Sequence, residues 1–211
     1  MSESGYNKAL GAVRLTATFG FIAVLVAFSR PRPVEVTVGF IIAAMGEGIR
    51  FWAAGHLLKT KELITSGPYR YTRNPLYLGR LLILTGLCIM CRLPYYANWI
   101  LLVVGYLIFL GYYMPRKERI EPARLRSVHG EDYERYFKAV PALIPNFRPY
   151  AHASNLGWSS DRMFRNREAW MVIGILAITV FLLRRSHQMP PRPEVTPLAT
   201  PPAAAPAPSG S

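Results

Sequence analysis

The run from Leu63 to Gly79, L-I-T-S-G-P-Y-R-Y-T-R-N-P-L-Y-L-G, gathers Tyr69, Tyr71 and Tyr77 beside Arg70 and Arg73. Rings and guanidinium groups at this density read as a binding surface, because arginine forks grip carboxylates and phosphates while phenol faces attract cations. The interval is polar and separates two long apolar segments. Gly67-Pro68 and Asn74-Pro75 form turns, and a residue before proline avoids the helical region, so the chain should bend twice and re-enter a helix at Leu76. An ordinary juxtamembrane loop, with arginines and tyrosines at the lipid headgroups, has the same composition, so both readings stay open at this level.

Glu47 and Arg50 form a second constellation. They lie three residues apart, hence on one helical face, inside a segment that otherwise suits lipid. Ionisable groups at that depth are costly unless they face the bundle or water, so the pair is either a structural ion pair or part of a site beside the loop. Cys88 and Cys91 sit in an apolar run without the charges that activate a thiol, and read as core residues.

The elements that must position these groups are helices long enough to cross a bilayer. The chain has 211 residues, a net charge of +13 and 51% apolar residues. Its positive charge falls between apolar runs too long for a soluble fold, which disfavours nucleic acid and favours anionic lipid or an anionic cofactor. Apolar segments at 9–28, 34–58, 76–91, 95–114 and 169–183 predict an all-α polytopic membrane bundle of about five spans. A charged amphipathic segment at 116–139, broken near Gly130, should lie on the membrane surface or fold back over the bundle. The expected organisation is a membrane domain over 1–150, a polar linker and last span over 151–188, and a disordered Pro/Ala-rich tail over 189–211. Lys59, Lys61, Arg70, Arg73 and the cations after Met114 place both basic segments in the cytosol, so the loop and the charged helix can build one site there.

The loop resembles the signature of the isoprenylcysteine carboxyl methyltransferases and related phospholipid methyltransferases, written around R-H-P-x-Y-x-G; Arg73, Pro75, Tyr77 and Gly79 match it. G-E-G-I-R at Gly46 to Arg50 precedes it in the expected order. The segment R-I-E-P-A-R-L-R-S-V-H-G-E-D-Y-E-R-Y-F-K-A-V-P follows, in which Glu121, Leu125, Gly130, Tyr133, Tyr136 and Pro141 match. The resemblance runs from about Val38 to Phe147. Asn74 stands where the family has histidine, which removes a proton carrier but keeps a hydrogen-bonding side chain. Pro122 replaces a second glutamate and suits a helix that starts afresh there.

The resemblance implies methyl transfer from S-adenosylmethionine at a cytosolic site, in the bacterial inner membrane or the endoplasmic reticulum, with no metal. It implies that Tyr69, Tyr77 and Tyr133 wall the adenine or face the sulfonium, that Glu121 takes the ribose or amine, and that Arg73 and the backbone near Gly79 hold the donor carboxylate. Gly67, Asn74, Leu78 and Tyr136 complete the cofactor set. The acceptor would be a lipophilic molecule entering from the bilayer, foremost a prenylcysteine-like carboxylate held by Arg116 with Arg50 in reserve. A phospholipid amine steered by Glu47 is the alternative, ahead of an NADPH-dependent sterol-type reductase or a non-catalytic scaffold.

Overall fold

The computed structural model describes residues 16, 20–57, 63–166 and 168–188, and among them every regular element is helical. A short helical stretch over 20–28 (α1) leads through a proline-rich turn to α2 (Pro33–His56). Then come α3 (Pro75–Cys91), α4 (Ala97–Ile108), α5 (Met114–Ala139), the short α6 (Ser160–Arg165) and α7 (Glu168–Gln188). Among the described residues, three helical stretches are long and apolar enough to cross a membrane: Pro33–His56, Pro94–Ala139 and Glu168–Gln188. At 17 residues α3 is shorter, and half of the expected first span, like Lys59, Lys61 and the 189–211 tail, lies outside the described residues.

Prolines set the starts of α2 and α3. Pro33 and Pro75 occupy the first helical turn, where a missing N–H leaves no bond unmade. The two helices then meet along small residues. Gly39 lies against the backbone of Gly86, Gly46 against that of Gly79, and Ala43 is fully buried between them. Such stripes let helix backbones touch, the packing that works in lipid, where apolar burial alone gives no drive for association. A methyl group on Gly86 would collide with the Gly39 carbonyl and lie 2.7 Å from the Ala43 nitrogen. Gly86→Ala should therefore lower stability by about 1–2 kcal/mol in thermal unfolding in detergent. Gly48→Ala, whose added carbon meets nothing within 4 Å, should be close to neutral.

Leu25, Val36, Ile83, Leu87, Met90, Cys91, Ile175 and Leu182 complete this core and join α1, α2, α3 and α7. Cys88 and Cys91 are free and buried, as the sequence leads one to expect. The α3–α4 turn is fastened from outside: Arg92 pairs with Glu35 at 2.8 Å, and its carbonyl accepts from the Arg30 amide. The carbonyls left open at the end of α2 are capped from a distance. Ser159 N–H and Arg162 Nε both donate to Gly55 O, and Asn166 donates to Ala54 O.

Three expectations need correcting. The fourth span and the charged segment form one continuous run, because a π-helical turn over Phe109–Tyr113 widens the helix ahead of Pro115, whose ring would otherwise press on the carbonyl one turn back. The helix also passes through Pro122 without restarting. Its break comes at Gly130, whose φ of 51° suits glycine. The last span begins at Glu168 and is 21 residues long, which exceeds the expected 169–183.

Candidate functional site

The turn-rich interval folds as expected. Gly67 has a φ of 57°, a conformation glycine adopts without strain, and opens a 3₁₀ turn through Arg70; Asn74 then leads directly into α3 at Pro75. Three backbone bonds lash this loop to the coil that follows α5: Arg73 N–H to Pro141 O, Asn146 N–H to Tyr71 O, and Tyr150 N–H to Arg70 O. Buried Thr72 adds a bond to Leu143 O at 3.1 Å. The loop and the charged helix thus share one face of the bundle.

Where they meet, charge and aromatic groups interlock. Arg73 donates to Glu118 Oε2 at 2.7 Å, and its guanidinium stacks over the Phe137 ring with 3.7 Å to the centroid. Asn74, which is buried, donates to Glu118 Oε1 at 3.1 Å and to Ala142 O at 2.8 Å, while its side-chain oxygen accepts from Lys117. Lys117 also pairs with Glu121 at 2.8 Å and sits over the Tyr77 ring at 4.5 Å. Tyr77 leans against Phe109 of the π-helical turn with centroids 5.5 Å apart. The position where the family carries histidine is therefore a hub that needs two donors and one acceptor, which a primary amide supplies.

Several buried polar atoms here have no partner: Tyr69 Oη, Arg70 Nε, and Nε and Nη1 of Arg73. Burial above all, then the nearby charge of Glu121, holds the Tyr69 phenol well above its ordinary pKa, so it keeps its proton and remains an unused donor. Tyr136 donates to the Tyr69 carbonyl at 2.7 Å, and it and Tyr133 are both buried in the cluster beneath the loop. Unused donors beside an aromatic wall suit a ligand carrying a carboxylate, hydroxyls and a flat ring. That fits what S-adenosylmethionine presents.

Of the residues read from the sequence, Tyr69, Arg73, Asn74, Tyr77, Glu121, Tyr133 and Tyr136 come together here, with Gly67 and Leu78 shaping the turn and the start of α3. Gly79 instead packs on Gly46 and the Arg50 side chain. Arg50 is already engaged: its Nη2 meets both Glu168 oxygens at 2.8 and 2.7 Å, and Nη1 donates to Leu76 O at 3.2 Å. Glu47 approaches Arg50 Nε only to 3.5 Å. Arg116 is exposed, touches only the Tyr112 hydroxyl at 3.4 Å, and has no acidic partner among the described residues. Sequence reasoning missed Glu118 and Lys117. Both lie one helical turn before Glu121 and so on its face, which was the available signal.

Residues 34–120 match the family model described as phospholipid methyltransferase. The match ends just before Glu121, so the later tyrosines and α7 lie beyond it. The cobalt-zinc-cadmium resistance protein CzcN of Cupriavidus metallidurans is 30% identical over 148 residues, 67% of this chain and 65% of the relative. The chain thus spans about 65% of that relative's length. No solved structure matches the chain. Residues 34–120, with the R-N-P-L-Y-L-G turn at their centre, are thus similar to the phospholipid methyltransferases.

Proposed function

We propose that this protein is an S-adenosylmethionine-dependent methyltransferase of the membrane, acting at its cytosolic face on a lipophilic acceptor. The observation that carries the reading is the set of unpartnered buried donors, Tyr69 Oη and Arg73 Nε and Nη1, on the segment that matches the family. Arg73 would hold the cofactor's carboxylate, Tyr69 and Tyr133 its ring, and Glu121, half exposed beside Lys117, its ribose or amine. Bound there, S-adenosylmethionine supplies an electrophilic methyl group, and a carboxylate that accepts it needs no base. What the chain contributes is alignment in a dry site, an effect worth about 7–11 kcal/mol at its limit.

The acceptor we infer is the carboxylate of a prenylcysteine-like molecule. Arg50, Arg73 and Lys117 are each tied to a glutamate, whereas Arg116 stands at the end of the apolar run with its guanidinium free of acidic partners among the described residues. A bidentate fork at a membrane boundary suits an acid and repels an amine.

Calorimetry on the purified protein should give micromolar binding of S-adenosylhomocysteine, about −8 kcal/mol, and none of NADPH. Arg116→Ala should leave that affinity intact while slowing methylation of a prenylcysteine acid. Heat from NADPH alone would move the protein to the reductases, and silence with both ligands would leave a scaffold. Methylation of phosphatidylethanolamine but not of the acid would replace the carboxylate with an amine acceptor.

A further inference from the structure

We propose that α2 and α7 flank a second, open-sided site, which binds the protonated amine of a single-tailed amphiphile with Glu47 as its counter-charge. A cavity of about 220 Å³ lies between the two helices, lined by Phe40, Ala44, Glu47, Phe51, Ile175 and Leu176 among others, and Glu47 is its one ionisable group. Glu47 is only 6% exposed, and neither of its carboxylate oxygens has a hydrogen-bond partner. Its neighbour Arg50 grips Glu168 with both short contacts and reaches Glu47 only with Nε, at 3.5 Å.

Charge decides the ligand. One guanidinium serves two carboxylates, so Glu47 has no cation of its own within a helix apolar enough to span a membrane. A buried charge without compensation is costly, and bare carboxylate oxygens take N–H donors. A protonated amine brings both charge and donors. A quaternary ammonium brings only the charge, and an alcohol only a donor. Phe40 and Phe51 line the same cavity. The volume is below that of pockets enclosing drug-sized ligands, which suits a headgroup with the start of one chain. Phe51 and Leu176 are 36% and 48% exposed, so the chain can leave between them into lipid. The α7 side of this site lies outside the family-matched segment, and the α2 side lies within it. It shares no residue with the Arg73–Glu118 network, although Glu47 is also the residue that the amine-acceptor alternative uses.

The test is dodecylamine binding to the full chain in phosphatidylcholine nanodiscs without methyl donor, corrected against empty discs. Binding is followed by tryptophan emission, because Trp158 stacks on Phe51 with centroids 5.6 Å apart. Saturable binding is expected, with dodecanol and dodecyltrimethylammonium weaker by about tenfold or more. Glu47→Gln should weaken dodecylamine to a similar degree. Gly48→Leu should do so with Glu47 in place, since it fills the cavity from a position where an added carbon meets nothing within 4 Å. Equal affinities for amine and alcohol would overturn the proposal, as would unchanged dodecylamine affinity in Gly48→Leu, which decides alone if Glu47→Gln does not fold. Neither outcome bears on S-adenosylhomocysteine binding.

Discussion

Replacing Arg50 by alanine will lower the stability of the bundle by about 3–5 kcal/mol, the range for removing one partner of a buried ion pair. Arg50 is 4% exposed and joins three helices: Glu47 on its own helix α2, the Leu76 carbonyl in the first turn of α3, and Glu168 at the start of α7. Without it, two buried carboxylates face each other with no cation between them, and the α7 contact with α2 loses its polar anchor. The triple variant Arg50→Met, Glu47→Gln, Glu168→Gln removes the charges together and should recover much of the loss, since a buried pair is often no better than apolar groups of similar volume. Thermal unfolding in detergent measures both. A single variant as stable as the parent would show that the carboxylates are already neutral or hydrated, and that Arg50 does not hold the helices.

The same triad shows what a sequence yields and what it withholds. Glu47 and Arg50 are legible as a pair because three residues of helix bring them to one face, and they do meet. Glu168 is not, because it lies 118 residues from Arg50 and directly before an apolar run that reads from Ala169 onward. The starts of α2 and α3 are legible because proline fixes the first helical turn chemically. The joining of α4 to α5 is not: Pro115 and Pro122 both argue locally for a break, and the π-helical turn that accommodates the first leaves no mark in composition. In the loop, glycine-proline and asparagine-proline announce the bends, and the tyrosines and arginines announce a binding surface. The partner that orders them, Glu118, sits in a run of alternating charges where any acidic residue looks solvated. Only the fold tells it from Glu131 or Glu134.

Glu118→Ala should therefore weaken S-adenosylhomocysteine binding by about 2–3 kcal/mol, roughly 30- to 150-fold, although Glu118 itself need not touch the cofactor. Glu118 accepts from Arg73 at 2.7 Å and from Asn74 at 3.1 Å, and so fixes the two residues that open α3. With the carboxylate gone, Arg73 keeps its stacking on Phe137 and its approach to Tyr133 but loses its charge partner, and the unused donors lose their aim. Lys117 loses the orientation of its Asn74 acceptor and falls back on Glu121, the residue proposed for the ribose or amine. Glu118→Gln keeps an oxygen for either donor but no charge, so it should fall between the alanine variant and the parent. Calorimetry supplies the affinities, and unfolding in the absence of ligand separates a misplaced loop from a weakened bundle. Parent-like binding in Glu118→Ala would mean that the network braces the loop without shaping a cofactor pocket, and the pocket would then have to be sought on the Tyr136–Tyr150 side of the same loop.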